Sequence, residues 1–436
     1  VTTNSDLPVP TPELIADGPI GWRFKGMPAD AAARTLDEFG GRGGNLFDAG
    51  FAWPQLVLRE SALRHNAALM ARYTAEHGMS LAPHLKTTTS PELAEYALRE
   101  GAWGVTVANP YQARVFMAAG HRRILLANEL VDRDFARQVV EWLAADEARD
   151  FYCYVDSVAG VAVLAEALEG SACSRPLPVL IEVGHAGGRA GCRSLDTVAA
   201  VRDAVASAGR LALAGVAGYE GSVSHSRDEA SLTAVAEYLR SLRRAMELVL
   251  PRADARLAEH VISAGGSFYF DVVAAELGGL AGERPVRLIA RPGAYLTHDN
   301  GVYEARSPLD GGGTATDSVA RLRPSIEVWA PVLSRPEPGL AILGAGRRDL
   351  NFDQGMPVPL EVRDHAGRSA RSVEGWTVTA LNDQHAFVTV PADARLGPSD
   401  LVRLGVSHPC TAHDRWLTAV IATDDDTVVS VARCYF

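Results

Sequence analysis

Between residues 55 and 324 the chain repeatedly alternates short apolar runs with stretches of helical periodicity, each closed by Gly, Pro or Asn. This alternation constrains the fold more than any other feature. WPQLVLRE reads as a strand and SALRHNAALMARYTAEHG as an amphipathic helix ending at Gly78. LAPHLKT is a further short strand. Ser90 is then an N-cap with Pro91 at the first helical position, opening a helix that stops at Gly101. The runs WGVTVAN, RRILLAN, DFYCYVDS, LPVLIEVG, LALAGVAGYEG, HVISAGG and VRLIARPG continue the pattern, giving about eight or nine strand–helix units. Continuously apolar strands with intervening helices imply a parallel sheet buried on both faces. Eight such units in about 250 residues predict a (β/α)8 barrel of the TIM type. An open doubly wound sheet is the alternative. No G-x-G-x-x-G follows the first strand, which argues against its dinucleotide-binding version.

The flanks differ. Residues 1–54 are rich in Gly, Pro and Asp and read as an irregular N-terminal arm, with GPIGWRFKGMP packing on the surface. Residues 325–436 hold short β-branched runs separated by turn residues, among them SIEVWAPVLSR, LAILGAG, GWTVTALND and TVVSVARCYF. They predict a C-terminal antiparallel β-domain. Composition then narrows the function. The 47% hydrophobic and 22% charged residues are globular values. The net charge of -11, with no dense basic run, argues against nucleic acid and anionic membranes as partners. No apolar stretch approaches the roughly 20 residues of a membrane span, and the first residues carry no secretory signal. Five widely spaced cysteines make a disulfide framework improbable and predict a cytoplasmic setting.

Barrel chemistry gathers at the C-terminal ends of strands. Lys86 ends LAPHLK with His84 two residues before it, and alternation along a strand turns both to one face. A partly buried lysine has a lowered pKa and supplies the neutral amine of Schiff-base chemistry; a lysine snorkelling at the barrel mouth is the alternative. Arg189 follows LIEVGHAGG, and Tyr219 follows LALAGVAG. Ser263, Gly265, Gly266 and Ser267 follow HVI, and Gly293 and Tyr295 follow VRLIA. A glycine turn leading into a helix suits a phosphate, or is simply a tight turn. In the β-domain, His408 and Cys410, two residues apart, would place imidazole and thiolate on one strand face, a pair suited to Zn²⁺. His385 and His413 are candidate further ligands. Cys153, Cys173, Cys192 and Cys434 read as structural.

Together these positions resemble the fold-type III pyridoxal-phosphate enzymes, and within them the D-serine dehydratase/D-threonine aldolase family, whose barrel is like that of alanine racemase. The motifs are PHLKT (83–87), EVGHAGGRAG (182–191), GYEGS (218–222), SAGGS (263–267), RPGAYLTHD (291–299), GAGRRDL (344–350) and SHPC (407–410). The resemblance implies that Lys86 carries pyridoxal 5'-phosphate with His84 near it. Arg189 would contact the ring hydroxyl side, and Tyr219 would lie near the pyridine nitrogen. Gly265, Gly266, Ser267 and Tyr295, with Ser263, would hold the phosphate end. His408 and Cys410 would bind the metal, and a homodimer is expected.

Family aldolases look like His-x-Asp with a harder ion, whereas family dehydratases look like His-x-Cys with zinc. Cys410 therefore implies a zinc-dependent dehydratase that converts a D-β-hydroxy amino acid, such as D-serine or D-threonine, to a 2-oxo acid and ammonia. Retro-aldol cleavage to glycine and an aldehyde is the nearest alternative. An amino-acid racemase and a non-catalytic cofactor-binding protein are the others. The long GHAGGRAG insertion and the N-terminal arm depart from the family pattern.

Overall fold

The computed structural model describes residues 19–436 except 22, 30, 32–33, 172, 281–284 and 311–320. The first 18 residues of the arm lie outside that set. The strands are β1 Gln55–Arg59, β2 Ser80–Leu81, β3 Val105–Val107, β4 Arg123–Glu129, β5 Asp150–Val155, β6 Leu177–Val183, β7 Leu211–Gly218, β8 His260–Ser263 and β9 Val286–Ala290, then β10 Ile326–Glu337, β11 Leu340–Leu343, β12 Val358–Arg363, β13 Thr377–Leu381, β14 Ala386–Thr389, β15 Leu401–Gly405, β16 Thr418–Ala422 and β17 Val428–Arg433. The helices are α1 Leu36–Gly40, α2 Glu60–Glu76, α3 Pro91–Arg99, α4 Pro110–Ala118, α5 Arg133–Ala144, α6 Val158–Ala167, α7 Leu195–Ser207, α8 Glu229–Val249, α9 Phe270–Leu277, α10 Val302–Arg306 and α11 Pro409–His413.

Strands β2 to β9 form one parallel sheet. It closes on itself: Trp103 N donates to Leu81 O at 2.7 Å, Thr106 N donates to Pro83 O at 2.9 Å, and His84 bridges Thr106 in parallel. The result is a TIM-type barrel. Local sequence explains its helices. Ser90, Asn109, Asp132, Ser157, Ser194 and Asp228 each accept a backbone N–H at the first turn of α3 to α8, and Pro91 and Pro110 open α3 and α4. Strand alternation sorts the apolar residues. Ile124, Phe151, Val179 and Ile181 face the helices, whereas Leu125, Tyr152, Tyr154, Leu180, Ala214, Val261 and Ile289 fill the interior.

The first strand departs from the expected boundary at residue 55. β1 pairs antiparallel with β10 and parallel with β16, so it belongs to the second sheet and α2 crosses back to the barrel. An apolar run does not specify which neighbour it hydrogen-bonds. The second sheet is otherwise antiparallel, in the order β13-β14-β11-β10-β1-β16-β17, with β15 pairing both β10 and β12. The described part of the arm covers one of its faces. Ile20, Leu36, Phe39, Leu46 and Phe51 pack with Val57, Trp329, Val420 and Val431 in a separate apolar core.

Candidate active site

The barrel mouth and the β-domain meet at one point. Lys86 lies in a 3-10 turn, Leu85–Thr87, after His84. It does not sit on the strand itself, so strand alternation is not what brings it beside His84. Its side chain reaches open solvent at the mouth, yet the surrounding walls strip away enough water to lower its pKa. Arg189 and Arg291 lower it further, and Cys410 opposes them. His84 is held well below its ordinary range by burial, then by Lys86 and Arg291. Its Nδ1 is buried without a hydrogen-bond partner.

The insertion before Arg189 is a compact knot. Arg193 donates to Ala190 O at 2.7 Å and to Gly188 O and Gly191 O at 2.9 Å. The loop so formed carries the Arg189 guanidinium to 5.0 Å from the centre of the Tyr219 ring. Burial, then the neighbouring Glu220 carboxylate, pushes the Tyr219 hydroxyl up to about 12, against Arg189.

The glycine turn is not arranged as expected. Gly265 N and Gly266 N donate to the buried Glu220 carboxylate at 3.0 and 2.6 Å. A carboxylate already fills the cradle read as a phosphate site, and two anions cannot share those amides without repulsion. Ser263 is likewise committed: its hydroxyl donates to Ile289 O at 3.0 Å and accepts from Arg291 at 2.5 Å. The next turn is more open. Gly293 N and Ala294 N make only long bonds, 3.3 and 3.4 Å, to Ser267 Oγ. A Cβ on Gly293 would lie 2.4 Å from His84 O, so only glycine allows this close approach beside the Lys86 turn. Tyr295 is buried with its hydroxyl unpartnered. An amine of lowered pKa, two loosely held amides, a serine hydroxyl and an orphaned tyrosine hydroxyl fit an aldehyde cofactor bearing a phosphate.

The β-domain brings His408 and Cys410 to this point. Cys410 Sγ lies 3.2 Å from Thr87 Oγ1, the residue after Lys86. The pair does not lie on a strand as expected: His408 stands at the N-cap position of α11 and Cys410 in its first turn, and the imidazole and thiol are close enough to interact. Burial opposes charge on His408, but Cys410 and Asp353 outweigh it and raise the imidazole to about 9. Imidazole and thiol so placed fit a borderline-soft ion. The other two histidines do not join them. His413 is buried with Nδ1 3.7 Å from Cys434 Sγ, and His385 is exposed in the turn between β13 and β14. Among the described residues no group of three or more His, Cys, Asp or Glu is arranged to hold a metal. All five cysteines are unpaired.

Four residues of the site escaped the sequence reading. Arg291 is buried at the end of β9 and also donates to Gly218 O at 2.8 Å; the strand-end rule pointed to it, at the head of RPGAYLTHD. Glu220 follows Tyr219 at another strand end. Tyr303, on α10, lies beside Cys410 and lays its ring 5.9 Å from His408 and 5.1 Å from Phe268. Asp353 lies 2.6 Å from His408 in an irregular loop with no sequence signal.

Two family models match. "Alanine racemase, N-terminal domain" covers residues 58–274 and "Putative serine dehydratase domain" covers 325–422. The chain is 27% identical to D-threonine aldolase of Arthrobacter sp over 342 residues, 78% of this chain and 81% of that protein. It is 31% identical to D-threo-3-hydroxyaspartate dehydratase of Delftia sp. (strain HT23) over 144 residues, 33% of this chain and 37% of that protein. The crystal structure of D-threonine aldolase from Filomicrobium marinum matches the fold with a TM-score of 0.72 at 23% identity, covering 88% of this chain and 95% of that one. A barrel of the alanine racemase type, joined to this second domain, defines a fold-type III pyridoxal-phosphate enzyme. Within that class the chain belongs to the D-serine dehydratase/D-threonine aldolase family.

Proposed function

We propose that the protein is a pyridoxal-phosphate- and zinc-dependent lyase that dehydrates a D-β-hydroxy amino acid, such as D-serine or D-threonine, to a 2-oxo acid and ammonia. The observation that carries this reading is the contact between Thr87 and Cys410, which sets the Lys86 turn against the imidazole–thiol pair. One substrate can then meet an amine at its α-carbon and a metal at its β-hydroxyl.

Pyridoxal phosphate, when bound at Lys86, supplies an electron sink for the α-carbon. Zinc on His408 and Cys410 supplies a Lewis acid for the β-hydroxyl. Lys86, lowered in pKa, moves the α-proton. Arg189 and Tyr219, whose guanidinium and ring lie 5.0 Å apart, would form the wall against which the cofactor ring is held. The Gly293 and Ala294 amides, with Ser267 and Tyr295, would hold the phosphate, since the Gly265–Gly266 amides are taken by Glu220. Tyr303 closes the space between the metal pair and the ring wall.

Cys410 supports dehydration, because thiolate selects zinc over a harder ion. The competing reading is retro-aldol cleavage to glycine and an aldehyde. It is favoured by the longer match, which is to a protein named as an aldolase.

Product analysis separates the two. Purified protein is given D-threonine, with L-threonine as control, with and without a chelator. Chelator-sensitive 2-oxobutyrate and ammonia from D-threonine alone is the expected result. Glycine and acetaldehyde would move the protein to the aldolase reading. Lys86→Ala is expected to abolish turnover and the cofactor's colour shift, and an active Lys86→Ala protein would overturn both readings. A cytoplasmic location completes the proposal, supported by the five unpaired cysteines. No described helix is long and apolar enough to cross a membrane.

A further inference from the structure

The loop between β11 and β12 is sewn onto the segment that carries His408. Asn351 Nδ2 donates to Ser407 Oγ at 2.8 Å, and Ser407 Oγ donates to Gly355 O at 2.7 Å. Asn351 and Ser407 are both buried, so this seam is shielded from competing water. It delivers Asp353, whose Oδ2 lies 2.6 Å from His408 Nδ1. The other carboxylate oxygen accepts from Thr411 Oγ1 at 2.5 Å, from a side chain on α11 one residue after Cys410. The carboxylate is therefore gripped on both oxygens.

An imidazole has two nitrogens, and the one that donates determines which is left to bind an ion. With Nδ1–H given to a carboxylate, the ring is held in the tautomer whose Nε2 lone pair is free. Its rotation is fixed at the same time, and the ligand becomes more basic. We propose that Asp353, braced by Thr411, is the positioning residue of the metal pair: it holds His408 through Nδ1 so that Nε2 and the Cys410 thiol converge on one ion. With two protein donors in place, this bracing supplies order that a third ligand would otherwise provide. The inference rests on the metal-dependent reading above and adds to it a residue outside the His-x-Cys pair.

The test measures Zn²⁺ affinity rather than turnover. Cofactor-loaded protein is stripped of metal and titrated with Zn²⁺ against a competing fluorescent chelator. Asp353→Ala is expected to weaken Zn²⁺ binding by about 10–100-fold, with the Lys86 cofactor absorbance and the melting temperature of the metal-free protein unchanged. Asp353→Asn keeps an acceptor for Nδ1–H but loses the charge, and should fall between the two. Thr411→Val is expected to weaken binding by a smaller factor. These two variants carry the test if Asp353→Ala does not fold. Zn²⁺ affinity within about threefold of wild type in all three variants would overturn the proposal. So would weakened binding accompanied by loss of the cofactor band, which would mark a structural role. Failure of the wild type to bind one Zn²⁺ per chain, or undiminished binding by His408→Ala, would overturn the metal-dependent reading as well; its success alongside an inert Asp353 would overturn the positioning role alone.

Discussion

Glu129 and Glu182 stand at the ends of β4 and β6, and their carboxyl groups are neighbours at the barrel mouth. Burial, reinforced by the Glu182 carboxylate, pushes Glu129 up from 4.5 to about 9. Between those pH values the folded protein binds a proton that the unfolded chain has released, so the contribution of Glu129 to stability is present below the lower value and is lost as pH rises through the upper one. Glu129→Gln is therefore expected to gain on wild type as pH is raised from 5 to 9. Melting temperatures of the two proteins across that range check this, and parallel curves would reject it. The same scale explains the misread glycine turn. Sequence marks Gly265 and Gly266 as a cradle for an anion, and an anion is there. It is Glu220, 45 residues away for Gly265. Which carboxylate meets which amide depends on how β7 and β8 lie side by side, a relation that residue type does not encode.

Among the elements, β1 has the most divided allegiance. It follows the arm in sequence and leads into a barrel helix, but its hydrogen bonds go to β10 and β16. A buried ion network reinforces that choice. Arg59, at its end, meets Glu327 of β10 at 2.5 Å and Asp426 at 2.7 Å, and Arg363 of β12 reaches Asp426 at 2.5 Å. Removing a partner from a buried pair leaves the others uncompensated in a medium that solvates charge poorly. Arg59→Ala is expected to destabilise the protein by about 3–5 kcal/mol, read as a lowered urea midpoint, and a change below about 1 kcal/mol would show the network to be solvated. The helices were legible because their signals are local. Ser90 before Pro91 caps α3 as read, since a cap needs only the next three residues. The sheet partners of β1 were not, since an apolar pentapeptide is compatible with either sheet.

At the scale of the molecule, the site lies where two sheets of different origin meet, and two apolar side chains stand exposed beside it. Phe352 and Met356, exposed on either side of Asp353, flank the loop that serves His408. We propose that a homodimer covers these exposed side chains. Light scattering behind size exclusion should report twice the mass of one chain; a monomer at working concentration would exclude it. The barrel and the β-domain after it were readable from sequence. Both rest on periodicity, and such patterns survive without knowledge of the fold. Lys86, His408 and Cys410 were picked out by position and motif order, but strand alternation is not what arranges them: Lys86 lies in a 3-10 turn, and the pair stands at the start of α11. Tertiary structure alone decided that β1 belongs to the second sheet, that Glu220 occupies the glycine turn, and that Asp353 grips His408. Each of these is a contact between residues 45 or more apart in the chain or a choice among equivalent strand edges. Only the packing of elements sets those distances, whereas alternation, caps and motif order are written in the chain itself.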